Sequence, residues 1–338
     1  MFDLTVLSRE VIEKILKMPR TIEIVEEVYK MKTQGETEVF PLVSHEFVSG
    51  ISDMDIKSGW IKGSDIFGLK VVSWFSANNK MGLPTLIGTI MVMDSKTGVP
   101  LGILDGSYIT AMRTGASAAI GAKALARKDS ETLLIVGSGN VGTFSTGAML
   151  VAMENIKKVF VYGGRDETKG TKFVQGIKTV LKENFDIDAK NITFEPVFDL
   201  EKATKQSDII VTATPSHEPI IQKEWVKSGT HFSCIGSDMS GKEEIAPEIF
   251  GDARVFCDDI PQCINVGEIE IPIKNGVLSP KDIGGEIGDV LTGKTVGREN
   301  DNQITVFDGT GTALLDLLVS KEALAIAKEK GYGETVKL

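Results

Sequence analysis

Three glycines, Gly137, Gly139 and Gly142, follow the apolar run Leu133-Leu134-Ile135-Val136 at the spacing of a dinucleotide-binding turn. The first glycine of such a turn permits a sharp reversal, and the second lets backbone N–H groups approach a pyrophosphate. The third lets the following helix pack against its strand, with the positive helix end facing the phosphates. The choice of cofactor depends on the end of the next strand, where an NAD site usually carries an acid for the ribose hydroxyls. Here that stretch reads Gly163-Gly164-Arg165. The missing acid and the nearby guanidinium put NADP narrowly ahead of NAD, while Asp166 or Glu167 could still serve a ribose.

Three further residues could carry chemistry. Lys70 lies in the apolar stretch Leu69-Lys70-Val71-Val72-Ser73-Trp74-Phe75, where a lysine is seldom buried without a partner. Burial would lower its pKa and suit it to polarise a carbonyl or imine, or to pair with a substrate carboxylate. The alternative is a packed stem with the amine in water. Arg113 opens the small-residue run Thr114-Gly115-Ala116, where its guanidinium can hold a carboxylate or phosphate through paired hydrogen bonds, or close an internal salt bridge. Asp238 follows the strand pattern His231-Phe232-Ser233-Cys234-Ile235, at the strand end where doubly wound folds place their chemistry. It can take a proton from an ammonium or a water, or simply cap a turn.

The elements that must position these residues follow from periodicity. Ser8 is expected to cap a helix bearing Val11, Ile12, Ile15 and Leu16, and Thr21 a second one with Val25, Val28 and Tyr29, ended by Gly35. Residues 39–104 change to strand patterns with Gly and Pro turns, apolar enough for a sheet covered on both faces, one of them by another subunit. Residues 114–127 read as a closely packed Ala/Gly helix, and strand–helix alternation then predicts a doubly wound parallel sheet over about residues 130–303. The charges of residues 169–190 read as a solvated helical face, and residues 311–330 as a helix returning to the first domain.

The chain has 338 residues, 42% of them hydrophobic, enough for two domains with cores of ordinary size. A net charge of −10 argues against nucleic acid or an anionic membrane as main partner. No stretch approaches the roughly 20 apolar residues of a membrane span. The opening Met1-Phe2-Asp3-Leu4 lacks the layout of a signal peptide, and the final residues are not a peroxisomal signal. Cys234, Cys257 and Cys263 show no close metal-type pairing along the chain and suit a reduced, cytoplasmic interior. His45, His217 and His231 are scattered and read as structural or surface residues, so no metal site is expected.

Together these pieces resemble the ornithine cyclodeaminase/μ-crystallin family over nearly the whole chain. The matching segments are Gly68-Leu69-Lys70, Asn78-Asn79-Lys80-Met81-Gly82-Leu83-Pro84-Thr85, residues 94–106, the run from Thr110 through Arg113 to Ala116, the Gly137 turn, and Gly236-Ser237-Asp238 with Gly241-Lys242. The resemblance implies a central Rossmann-type nicotinamide domain (residues 116–310) and a dimer-forming α+β substrate domain from both chain ends (1–115 and 311–338). It implies a homodimer acting on a small amino or imino acid with NADP or NAD. By position, Lys70 looks like the substrate-contacting lysine, Arg113 like the arginine near carboxylate and cofactor, and Asp238 like the cyclodeaminase aspartate. Thr85, Asn140, Val141, Thr214, Ile235 and Lys242 look like cofactor-lining positions, beside Gly137, Gly139, Gly142 and Arg165. The implied reaction oxidises the α-carbon to an iminium, Asp238 takes a proton from a side-chain amine that cyclises with loss of ammonia, and the hydride returns. An open-chain amino-acid dehydrogenase, an imine or ketimine reductase and a non-enzymatic NADP-dependent binding protein are the alternatives. One departure stands out: where small-amino-acid members carry an arginine after a proline, the chain reads Pro41-Leu42-Val43, with His45 the nearest replacement. Losing a charged hydrogen bond of that kind costs on the order of 2 kcal/mol unless another group replaces it.

Overall fold

The computed structural model describes Met1–Leu338. It divides into two compact units, Met1–Arg113 with Thr312–Leu338, and Thr114–Gly311. No helix is long and apolar enough to cross a membrane.

The first unit is built on an eight-stranded sheet in the order Glu334–Lys337, Asp3–Leu7, Pro100–Asp105, Leu86–Asp94, Ile66–Phe75, Ser52–Ile61, Thr37–Val39, with Val43–Val48 also paired to Ser52–Ile61. Asp3–Leu7 runs parallel to Pro100–Asp105 and the other pairings are antiparallel. Register places Lys70 opposite Lys57 on one side and Ile90 on the other. The helix Ala313–Lys330 packs across these central strands, with every residue from Ala313 to Ser320 buried. Glycines make this approach possible: a Cβ at Gly59 would stand 2.9 Å from Leu314 Cδ2, and one at Gly68 2.7 Å from Leu317 Cδ2. Larger residues on that stripe would push the helix off the sheet. Within the single chain, Val43–Val48 is exposed along its whole length.

Two helices near the start of the chain show where capping logic works and where it does not. Ser8 caps Arg9–Ile15, its hydroxyl accepting the Val11 N–H. Thr21 caps nothing: the helix runs Met18–Thr33, and the Thr21 hydroxyl donates to the Lys17 carbonyl within it. Pro19 in the first turn fixes the helical φ and needs no N–H partner, so the helix starts a turn earlier than a hydroxyl cap would place it. Gly35, at φ +76°, ends it. The Ala/Gly helix also begins early, running Gly106–Leu125 with the Asp105 carboxylate accepting the Tyr108 N–H at 3.0 Å.

The second unit is an all-parallel seven-stranded sheet in the order Thr193–Pro196, Lys158–Tyr162, Thr132–Val136, Ile209–Thr212, His231–Cys234, Ile304–Asp308, Ala253–Cys257. Winding starts at Thr132–Val136, proceeds outward one way, then restarts at Ile209–Thr212 in the other direction. Such a reversal opens a crevice beyond the carboxyl ends of the two strands. The sheet does not stop near residue 303. Ile304–Asp308 is an interior strand, and at five residues, with Thr305 and Asp308 among them, it is too short for a periodic pattern to mark it.

Candidate active site

The glycine turn joins the buried strand Thr132–Val136 to the helix Asn140–Ala152. Gly137 has φ +117°, and a Cβ on it would lie 2.5 Å from the Ala213 carbonyl. A Cβ on Gly142 would lie 2.0 Å from the Gly137 carbonyl, so the helix can seat on its strand only without one. Nothing lies within 4 Å of the Gly139 position. Gly139 is the helix N-cap and supplies no side-chain hydrogen bond, which leaves the first backbone N–H groups available to an anion.

A cavity of about 850 Å³ lies over this turn, bordered by Gly137, Gly139, Gly163, Gly164 and Thr214. Its size and its free helix end fit part of a dinucleotide. No carboxylate lines it, whereas Lys169 and Lys172 do. Both lysines are exposed, as expected of a solvated helical face, and at its start that face borders the cavity. They lie in the first turns of Glu167–Phe185, which starts immediately beyond the Gly163–Gly164 turn. Packing explains the absent acid: a Cβ at Gly163 would stand 2.3 Å from the Gly170 N. Gly164 has φ +88°, a conformation that disfavours any side chain. Arg165 is exposed and lies outside the cavity lining, as do Asn140 and Val141 in the first helical turn and the buried Ile235. Thr85, whose carbonyl accepts the Phe75 N–H at 2.9 Å, belongs to the first unit.

Thr214 is held by a residue that sequence spacing does not single out. One oxygen of the buried Glu244 accepts both the Thr214 N–H, at 2.6 Å, and its hydroxyl, at 2.8 Å. Asp238 lies in the loop after His231–Cys234, its side chain 50% exposed and 2.7 Å from the Lys242 ammonium. Lys242 thus serves as the aspartate's ion-pair partner. Cys257, Cys263 and Asp308, separated along the chain, bring their ligand atoms within 4.8 Å of one another. Burial pushes both the Cys263 thiol and the Asp308 carboxyl well up.

In the first unit, Lys70, Asp316 and Arg113 form a buried ionic triad. Lys70 Nζ is 2.8 Å from one oxygen of Asp316 and Arg113 Nε is 3.1 Å from the other. Exposure is 1% for Lys70, 0% for Asp316 and 6% for Arg113, which rules out an amine reaching water. Lys70 also donates to the Thr110 hydroxyl at 3.2 Å. Burial, with the Arg113 charge adding to it, pushes Lys70 down to about 7, against the opposing pull of Asp316. Burial acts to raise Asp316, but Arg113 and Lys70 outweigh it and hold the carboxyl below its usual range. Arg113 thus closes an internal salt bridge, yet one carboxylate cannot neutralise two cations. The cluster therefore holds two basic groups against one acid. Asp316 escapes a search for motifs. Its one signal is that it is the sole charge in Ala313-Leu314-Leu315-Asp316-Leu317-Leu318. The Val43 side chain is 53% exposed, and the His45 ring packs edge-on to Phe47 at 5.1 Å between centroids.

The second unit is a doubly wound sheet with a glycine turn and an open helix N-terminus, the parts of a dinucleotide-binding oxidoreductase. A family model for the ornithine cyclodeaminase/mu-crystallin family matches residues 3–330, and the chain belongs to that family. Among its relatives, alanine dehydrogenase of Archaeoglobus fulgidus is 34% identical over 332 residues, covering 98% of each chain. An archaeal alanine dehydrogenase dimer with bound NAD superposes with a TM-score of 0.91 at 32% identity, covering 100% of both chains. The Thermococcus litoralis Δ1-pyrroline-2-carboxylate reductase, solved with NADH and L-proline, gives 0.91 at 31% identity, covering 98% of this chain and 100% of that one.

Removing the charge of Asp316 tests the triad. Asp316→Asn leaves two buried cations without their counter-ion, and losses of this kind run to about 3–5 kcal/mol. Chemical unfolding should register that loss. Asp316 raises the Lys70 pKa, so any rate dependence on Lys70 protonation should move to lower pH in the variant. An unchanged unfolding midpoint and pH profile would show that the triad is not coupled as described.

Proposed function

We propose that this protein transfers a hydride between a nicotinamide dinucleotide and the α-carbon of a small amino or imino acid, as an open-chain dehydrogenase or imine reductase. The observation that carries this reading is the buried pair of cations, Lys70 and Arg113, sharing the single carboxylate of Asp316. A dinucleotide bound at the Gly137 turn supplies the hydride acceptor or donor. Arg113 and Lys70 hold the substrate carboxylate and so fix which face of the α-carbon is presented. With its pKa near 7, Lys70 can also pass a proton at neutral pH. Asp238 holds or gives the proton of the substrate nitrogen. The names of the relatives, a dehydrogenase and a reductase at 31–34% identity, support this ordering. Val43 in place of an arginine weighs against binding ornithine as a cyclodeaminase does. The cyclodeaminase reading is kept second by Asp238, the carboxylate such a cyclisation needs.

The phosphorylated dinucleotide is the preferred form in this reading, because Gly163 excludes an acid and Lys169 with Lys172 line the cavity. A second copy of the chain covers the exposed apolar residues Val43, Phe47, Val48 and Ile51, giving a homodimer.

Four measurements check these points. Purified protein should consume dinucleotide stoichiometrically with pyruvate plus ammonia or with Δ1-pyrroline-2-carboxylate. Conversion of ornithine to proline without net turnover would instead favour the cyclodeaminase, and silence across the panel would sink both. Asp238→Asn should lower kcat by about 100-fold or more; a wild-type rate would remove its acid–base role. For the cofactor, Lys169→Ala with Lys172→Ala should raise the KM for NADPH about tenfold and leave that for NADH nearly unchanged. Equal effects on the two dinucleotides would refute the phosphate role. Sedimentation should show a dimer that Phe47→Asp converts to monomer, and a dimeric variant would place the interface elsewhere.

A further inference from the structure

Asp238 sits in an irregular loop, residues 235–242, between the strands His231–Cys234 and Glu243–Ile245. An aspartate on a free loop would sample many positions, yet the residues on both sides of this one are tied down. Three buried carboxyls make the ties. Glu268, 1% exposed, accepts the Ser237 hydroxyl at one oxygen. At the other it accepts the backbone N–H groups of Glu244 and Ile245 at 2.7 and 2.8 Å. Glu244 accepts the Gly236 N–H at 3.1 Å with the oxygen that Thr214 does not use. Glu270 accepts the Ser240 hydroxyl at 2.6 Å and the Gly241 N–H at 2.8 Å. Beyond these, His217 Nδ1 meets the Gly241 carbonyl at 2.9 Å.

The pattern is specific. Gly236 and Ser237 are fixed before Asp238, and Ser240 and Gly241 after it, while the Asp238 side chain stays half exposed. Burying carboxyls is a costly way to hold a loop. Burial pushes Glu244 up to about 7 and, with the Glu244 charge adding to it, Glu268 up to about 8. An apolar side chain could cover the loop without that cost, but it would not fix direction. Hydrogen bonds to a rigid carboxyl do.

We propose that Glu268, acting through Ser237, and Glu270, acting through Ser240, are positioning residues that set the place of the Asp238 carboxylate. The proposal rests on the acid–base role of Asp238 given above. Neither glutamate is assigned contact with the reacting atoms. Their effect is geometric, and a misplacement of about 1 Å at a reacting group can cost on the order of 100-fold in rate.

The test removes the two hydroxyls, which leaves the buried carboxyls and the fold in place. Ser237→Ala, Ser240→Ala and their combination are assayed in the full-length protein beside Asp238→Asn, with Ser237→Thr as the variant that restores a hydroxyl. The double variant is expected to lose about tenfold or more in kcat, with the dinucleotide KM within about twofold of wild type. Ser237→Thr should recover most of the loss that Ser237→Ala causes. If the double variant keeps its kcat while Asp238→Asn loses it, the positioning role is overturned and the acid–base role stands. If Asp238→Asn itself keeps its kcat, both are overturned. A dinucleotide KM that rises in step with the fall in kcat would make the loop a cofactor scaffold and would also overturn the proposal.

Discussion

The burial of Lys70 beside Arg113 is the constraint on which the first unit depends. Two cations out of water are tolerable only with an anion between them, and Asp316 is that anion. The three residues come from a central strand, the interior of the helix Gly106–Leu125 and the helix Ala313–Lys330. The sheet must therefore admit that last helix at close range, and Gly59 and Gly68 are the residues that allow it. Removing a side chain from the sheet and placing an acid in an apolar helix are two halves of one arrangement. What results is a buried cluster of two basic side chains on one acid.

The second unit follows a related rule, with backbone instead of charge as the scarce partner. Gly137 and Gly142 exist because carbonyl oxygens occupy the space where their Cβ atoms would be. Gly139 faces open space, and as the N-cap it brings the helix N-terminus no side-chain hydrogen bond. Gly163 extends the logic to the next strand, where contact with Gly170 leaves no room for a ribose-binding acid. The residue type at this strand end is thus set by how tightly a helix packs on its strand.

Much of this was readable from residue order. The glycine spacing, the apolar run before it and the strand–helix alternation predicted the parallel sheet, and Lys70 stood out as a charge in an apolar strand. Other features were invisible for physical reasons. Thr21 looked like a cap because hydroxyls cap helices, but Pro19 had already started the helix. Ile304–Asp308 is a five-residue strand inside the sheet, too short for periodicity to separate it from a loop. Asp316, Glu244 and Glu268 act through partners distant along the chain, and no local pattern encodes such a pairing. Lys169 and Lys172 sat among many similar charges, and only the packing of their helix assigned them to the cavity.

The helix Ala313–Lys330 has one more consequence, which concerns time. Lys70 and Arg113 leave the ribosome long before Asp316, with the whole Thr114–Gly311 unit made in between. The parallel sheet can fold while the first unit still holds two cations whose counter-ion has not been synthesised. Until the final helix arrives, those cations belong in water, and the strand bearing Lys70 has no reason to bury them. The first unit is therefore the last to mature, and a chain cut short before Asp316 would have its glycine turn and parallel sheet but no settled cation cluster.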